Sequence, residues 1–250
     1  MLNLEQIKIY ILAALAALIA LTVHEVAHGF MAYKLGDNTA KNLGRLSLNP
    51  VKHLDPIGTL CMVFFRIGWA KPVPINARNF KKPKRDFALT ALAGPLVNLT
   101  IAFVFAGVYL LLAALFTLAQ PQYGSFGFTL AKNTLTFLSI FYSVNVGLGV
   151  FNLIPIPPFD GSRILHTVLP EKIYFGIMKY EKKIYVGVLA WLFLGDIVAE
   201  ILRSIPLIYT TRWLYTAVGI FDLSGMISVA IDFISGLMLS FWQLIPFLRI

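Results

Sequence analysis

The chain has 250 residues, 58% of them hydrophobic and 13% charged, with a mean hydropathy of +0.76. A soluble domain is about 45–50% apolar and about 25% charged, so this composition excludes an ordinary water-soluble enzyme and predicts a polytopic membrane protein. The net charge of +9 comes mainly from two loops, which assigns it to membrane orientation rather than to nucleic acid, and the single cysteine, Cys61, excludes an intramolecular disulfide and a cysteine-rich metal site.

A membrane-spanning helix needs about 20 largely apolar residues. The first candidate runs from Glu5 to Tyr33, and no small-residue cleavage site precedes its histidines, so it is expected to be retained rather than removed as a signal peptide. A polar, basic stretch follows from Lys34 to Asp86. Within it, Ile57 to Trp69 is apolar but too short to span as a helix. Its β-branched residues, aromatics and glycines predict a short re-entrant or β-hairpin element; an interfacial hydrophobic loop is the competing reading. A second span is expected over Ala88–Leu118, a turn over Gln120–Ser125, and a third span over Asn133–Phe159. An amphipathic segment, Arg163–Lys183, leads into a fourth span over Ile184–Leu202, and one or two more are expected before Ile250. The fold class is therefore all-α and polytopic, with about five or six transmembrane helices. Residues 1–205 form the expected core and residues 206–250 a C-terminal hydrophobic segment.

The first span ends on His24-Glu25-Val26-Ala27-His28. On a helix, the two histidines lie one turn apart on the same face. Two imidazoles so placed can grip a zinc ion, with the intervening glutamate beside the metal as a general base. A carboxylate among apolar residues also needs a cause, because an unpaired one in hydrocarbon is strongly disfavoured. A divalent ion with its bound water supplies that cause.

Two histidines leave zinc short of the three protein ligands of a catalytic site. The third is expected to be Asp160, which follows Asn152-Leu153-Ile154-Pro155-Ile156-Pro157-Pro158-Phe159. Three prolines stop the third span from continuing as a helix, and Gly161 permits a sharp turn after the aspartate. The bland alternative is an Asp-Gly turn that merely closes a helix. Asn152, at the end of an apolar span, could donate to the oxyanion of a tetrahedral intermediate; a helix-packing or cap asparagine is the competing reading. His53 and Asn98 are candidates for roles around the metal or in gating. For each there is a simpler reading: a turn-stabilising histidine, and a helix-packing amide beside Gly94-Pro95.

Eleven of the 21 Lys and Arg residues lie between Lys34 and Arg85, and five more between Arg163 and Lys183. The positive-inside tendency places both loops in the cytoplasm; binding of the basic loops to anionic headgroups of the lipid bilayer is an alternative cause, and the two are compatible. His24, His28 and Asp160 then meet toward the cytoplasmic side of the membrane.

These features together resemble the site-2 protease family of intramembrane zinc metalloproteases. The resemblance rests on His24-Glu25-Val26-Ala27-His28-Gly29 and on Asn152…Pro155…Pro157-Pro158-Phe159-Asp160-Gly161. It is strengthened by Gly44 to Gly58 (GRLSLNPVKHLDPIG) and by Ala93-Gly94-Pro95-Leu96-Val97-Asn98. It covers about Thr22 to Leu165 and leaves no room for the PDZ or CBS domains that other members carry. The resemblance implies one Zn2+ held by His24, His28 and Asp160, with Glu25 as catalytic base and Asn152 as intermediate stabiliser. It also implies a single-span membrane protein as substrate, such as an anti-sigma or transcription factor or a signal-peptide remnant. The competing function is a membrane metal-binding or transport protein that uses the same ligands without hydrolysis.

Overall fold

The computed structural model describes residues 3–58, 60, 70–165, 167–205 and 223–249. Three helices among them are long and apolar enough to cross a membrane: α1 (Leu4–Lys34), α3 (Pro83–Ala119) and α4 (Phe126–Asn152). Between the first two lie the short α2 (Thr39–Asn42) and two single 3-10 turns, Pro50–Lys52 and Ala77–Asn79. After α4 come α5 (Asp160–Leu165), α6 (Glu171–Met178), α7 (Glu181–Arg203) and α8 (Leu223–Trp242). The described residues are thus helix and loop, with one isolated antiparallel bridge between Leu54 and Ala70. Most of the predicted re-entrant element, Thr59 and residues 61–69, lies outside the described residues.

Helix α1 starts on a reciprocal cap. The Asn3 side chain accepts from the Gln6 backbone N–H at 2.8 Å, and Gln6 accepts from the Asn3 N–H at 3.0 Å. Its buried face includes Ala16, Ala20, His24, His28 and Ala32, a row at every fourth residue. Small side chains let helices approach closely in a membrane, so the row that seats α1 against α3 and α4 also carries the histidines inward. Helix α3 answers with Ala91, Gly94, Asn98, Ala102 and Ala106, and α4 with Asn145, Val146 and Gly149, all buried.

The third span begins earlier than its sequence suggests. Ser125 caps it by accepting from the Phe128 N–H at 3.1 Å, so the helix takes in Lys132, whose Nζ lies 3.7 Å from Glu5 at the start of α1. A charge within the first two turns does not end a helix; it marks where the helix meets the membrane surface. The span also ends at Asn152 rather than Phe159, where the three prolines take over. From the C-terminal part, α8 packs Ile231, Ile234, Met238, Leu239 and Trp242 on a core of Ala102, Ala106, Tyr142 and Val146. The Trp242 indole donates to the Phe103 carbonyl at 2.8 Å.

Just beyond α1, Asp37 is fully buried and joins the end of that helix to the approach to α3. Its carboxylate accepts from the Thr39 backbone at 3.1 Å, the Asn76 backbone at 2.7 Å and the Asn79 amide at 2.7 Å. Burial pushes its pKa up, but the Thr39 hydroxyl, the Asn76 N–H and the Asn79 amide together bring it below its ordinary 3.8. A folded value below the unfolded one means the stabilisation is complete above about pH 4 and is lost as pH falls through the folded value. Asp37→Ala is expected to cost about 3 kcal/mol at neutral pH, and Asp37→Asn to flatten the acid limb of thermal stability. Melting curves of the solubilised protein between pH 3 and 7 test this; an unchanged acid limb in the Asn variant would assign the acid sensitivity to other carboxylates.

Candidate metal centre

His24 and His28 project from the buried face of α1, with side chains 5% and 8% exposed. Their Nε2 atoms are 3.0 Å apart, and each lies 3.1 Å from Oδ2 of Asp160. The Asp160 side chain is 22% exposed, so water can reach the group from that side. It is the single cluster of three or more His, Cys, Asp or Glu among the described residues with metal-binding geometry.

The opposite edges of the two rings decide what the group can hold. His24 Nδ1 lies 2.7 Å from Oδ1 of Asn98, and His28 Nδ1 lies 2.7 Å from the Thr90 carbonyl. A carbonyl can only accept, so Nδ1 of His28 carries the proton, and the same holds for His24 with the amide oxygen toward it. The Nε2 atoms are thereby the ones left to face each other and the Asp160 carboxylate. Two imidazole nitrogens and a carboxylate oxygen at 3.0–3.1 Å from one another are three donor atoms that a single zinc ion can take together once the Nε2 protons are released. Tetrahedral zinc, with ligands at about 2.0–2.2 Å, sets donors roughly 3.3–3.6 Å apart, so the residues fit zinc with shifts of a few tenths of an ångström.

The backbone reasons are local. Gly94 on α3 faces both imidazoles, and a Cβ there would lie 2.4 Å from His28 Nε2 and 2.7 Å from His24 Cε1. Asp160 opens α5 at the end of a self-bonded turn. The Phe159 N–H binds the Ile156 carbonyl at 3.0 Å, and the Ser162 hydroxyl donates to the Phe159 carbonyl at 2.7 Å. Gly161 is needed there for its missing Cβ, which would fall 2.3 Å from the Leu153 carbonyl.

Glu25 lies on the same helix turn. Its Oε2 accepts from the backbone N–H of Val73 at 2.8 Å. The Val73 segment is itself tied down: the Lys71 N–H donates to the His53 carbonyl at 2.8 Å, and Arg45 donates to the Lys71 carbonyl at 2.7 Å. His53 is buried, with Nε2 2.7 Å from the Ser47 carbonyl, so its contacts hold the turn that supports Val73. Asn152, the last residue of α4, donates Nδ2 to the Leu148 carbonyl at 3.0 Å.

Four contributors escaped the sequence reading: the Val73 N–H, the Thr90 carbonyl, the missing side chain of Gly94, and Asn145, which binds Asn98. Two of the four are backbone groups, for which side-chain identity gives no signal. Asn145 is a buried amide in an uncharged span, and that alone could have singled it out.

Residues 11–195 match the family described as Peptidase family M50. The chain is 42% identical to YwhC of Bacillus subtilis (strain 168) over 156 residues, 62% of this chain and 68% of that protein. It is 27% identical to Rip2 of Mycolicibacterium smegmatis over 246 residues, 96% of this chain and 84% of that protein. Both are designated candidate zinc metalloproteases. It is also 29% identical to the zinc metalloprotease MJ0392 of Methanocaldococcus jannaschii over 164 residues, 66% of this chain and 35% of that protein. No solved structure matches.

Proposed function

The chain belongs to peptidase family M50, the site-2 protease family of zinc metalloproteases, and from that premise we propose that it hydrolyses a peptide bond within or near the transmembrane segment of a membrane protein. The observation that carries this reading is the convergence of His24 Nε2, His28 Nε2 and Asp160 Oδ2 within 3.1 Å beside the Glu25 carboxylate, on an integral membrane helix.

His24, His28 and Asp160 would hold one zinc ion. Bound there, it would lower the pKa of a water to about 7 and polarise a carbonyl. Glu25 takes the proton of the attacking water and delivers it to the leaving amine. The Val73 N–H on Oε2 fixes the carboxylate's direction and leaves Oε1 for the water. Asn152 uses one of its two amide hydrogens on Leu148; the second is available to the oxyanion. Asn98 steadies His24, and His53 supports the loop that carries Val73.

The substrate is a single-span membrane protein, in the class of anti-sigma factors, membrane-bound transcription factors or signal-peptide remnants. Its helix must unwind first, because a helical carbonyl is already hydrogen-bonded. The basic loops favour a cell-membrane orientation with the site toward the cytoplasm. Residues 1–205 form the protease core. Helices α7 and α8, of 23 and 20 residues, are long enough for further spans at 1.5 Å per residue. Counted with the three long helices they make five among the described residues.

Metal removal tests the function. Purified protein is expected to carry one zinc per chain, to lose cleavage of a single-span reporter on chelation, and to regain it on zinc addition. Cleavage that survives complete chelation would refute the metalloprotease reading.

A further inference from the structure

We propose that Asn145 is a positioning residue for the metal centre: it sets the direction of the Asn98 amide, and thereby which ring nitrogen His24 presents. The inference rests on the metal-site reading above and extends it to a third helix.

Asn98 on α3 and Asn145 on α4 are both 0% exposed. Asn145 Nδ2 lies 2.8 Å from the Phe141 carbonyl, and Asn145 Oδ1 lies 2.8 Å from Asn98 Nδ2. Asn98 Nδ2 also lies 3.2 Å from the Ala20 carbonyl, while Asn98 Oδ1 faces His24 Nδ1 at 2.7 Å.

The chain of bonds has only one consistent direction. A carbonyl accepts and cannot donate, so the end of Asn145 facing Phe141 is its NH2 group, and its oxygen faces Asn98. Asn98 must then show its NH2 to Asn145, as it also must to Ala20. Its oxygen is left for His24, which has to donate from Nδ1. Nε2 is the nitrogen directed at His28 and Asp160. Each amide hydrogen of Asn98 has an acceptor, Ala20 for one and Asn145 for the other. Without Asn145 one of them is orphaned in a sealed, apolar place, which is unfavourable. The amide, and the ring it orients, then lose their fixed direction. Partners that orient a metal-binding histidine commonly change metal affinity by about 10–100-fold when removed.

An asparagine between membrane helices can also serve simply as interhelical glue. Metal affinity separates the two roles. In the full-length protein in detergent, Asn145→Leu is expected to weaken zinc binding roughly 10–100-fold in competition with a chromophoric chelator. Asn145→Asp is expected to stay within about threefold of wild type, because a protonated carboxyl keeps an acceptor toward Asn98 and a donor toward Phe141. Ring 15N shifts of His24 in zinc-loaded wild-type protein provide a measurement that needs no variant: they should report Nε2 as the zinc-bound nitrogen and Nδ1 as the protonated one. Equal zinc affinity in wild type and a folded Asn145→Leu variant overturns the proposal. So does equal loss in the Leu and Asp variants, or a His24 ring that binds zinc through Nδ1. A wild-type protein that fails to bind zinc at all would instead overturn the metal-site reading beneath it.

Discussion

Glu25→Gln is expected to keep its zinc and to lose cleavage by roughly a thousandfold, within the 10²–10⁴ usually supplied by a positioned acid or base. The substitution is nearly isosteric. A glutamine oxygen still accepts from the Val73 N–H that now binds Oε2 at 2.8 Å, so the loop should stay in place. The three metal-facing atoms belong to His24, His28 and Asp160 and are untouched. What disappears is the capacity to take a proton from water and return it to the amine. Zinc content by atomic absorption and reporter cleavage by gel together decide the matter. Retained zinc with retained cleavage would remove Glu25 from the role of base, and a wild-type chain that binds zinc without cutting any reporter would favour a metal carrier. The same variant, compared with active protein by membrane proteomics, should accumulate the uncut single-span substrates.

Gly94→Ala is expected to lower zinc affinity by about a hundredfold and to abolish cleavage with it, while leaving the helices intact. A Cβ at this position would lie 2.4 Å from His28 Nε2, 2.6 Å from His28 Cε1 and 2.7 Å from His24 Cε1. Contacts that short force movement, and overpacking in a filled site costs about 1–3 kcal/mol, or up to about a hundredfold in an equilibrium. The rings cannot yield freely. Each is tethered at Nδ1, His24 by Asn98 and His28 by the Thr90 carbonyl, both at 2.7 Å, so moving either one away from Gly94 breaks the bond that orients it. Alanine is the better helix former by about 1 kcal/mol, which should keep α3 folded. Chelator competition and a melting curve on the same sample separate the effects. A Gly94→Ala protein with wild-type zinc affinity would mean that α1 and α3 part easily at this level.

These two expectations draw on different kinds of information. The first was legible in the sequence. His24, Glu25 and His28 announce their chemistry by type and one-turn spacing, and the setting, an uncharged run with a carboxylate in it, requires a metal to make sense. Asp160 could be chosen because prolines at 155, 157 and 158 end the third span just before it. The second expectation was not legible. Gly94 stands in a recognisable Ala93-Gly94-Pro95 stretch, but nothing local says that two imidazoles from another helix occupy the space its side chain would fill. The start of α4 was misplaced for a related reason: Lys132 looks like a boundary by charge, whereas Ser125 and the nearby Glu5 make it an ordinary helical residue at a membrane edge.

The sequence by itself determined the solvent, the all-helical class and the His24, His28 and Asp160 metal-binding group of this protein. Each of these follows from composition or from spacings of a few residues, which the helix period converts directly into faces and contacts. Only the tertiary structure decided which atom of each group is used. The Nδ1 edges of His24 and His28 are taken by Asn98 and Thr90, one oxygen of Glu25 is taken by the Val73 N–H, and Asn145 gives the amide chain its direction. Those assignments depend on hydrogen bonds between segments 47 to 74 residues apart, made where rows of alanine and glycine let three helices close on one another. Such contacts leave no periodic mark in any one helix, because each is a property of the packing rather than of the chain.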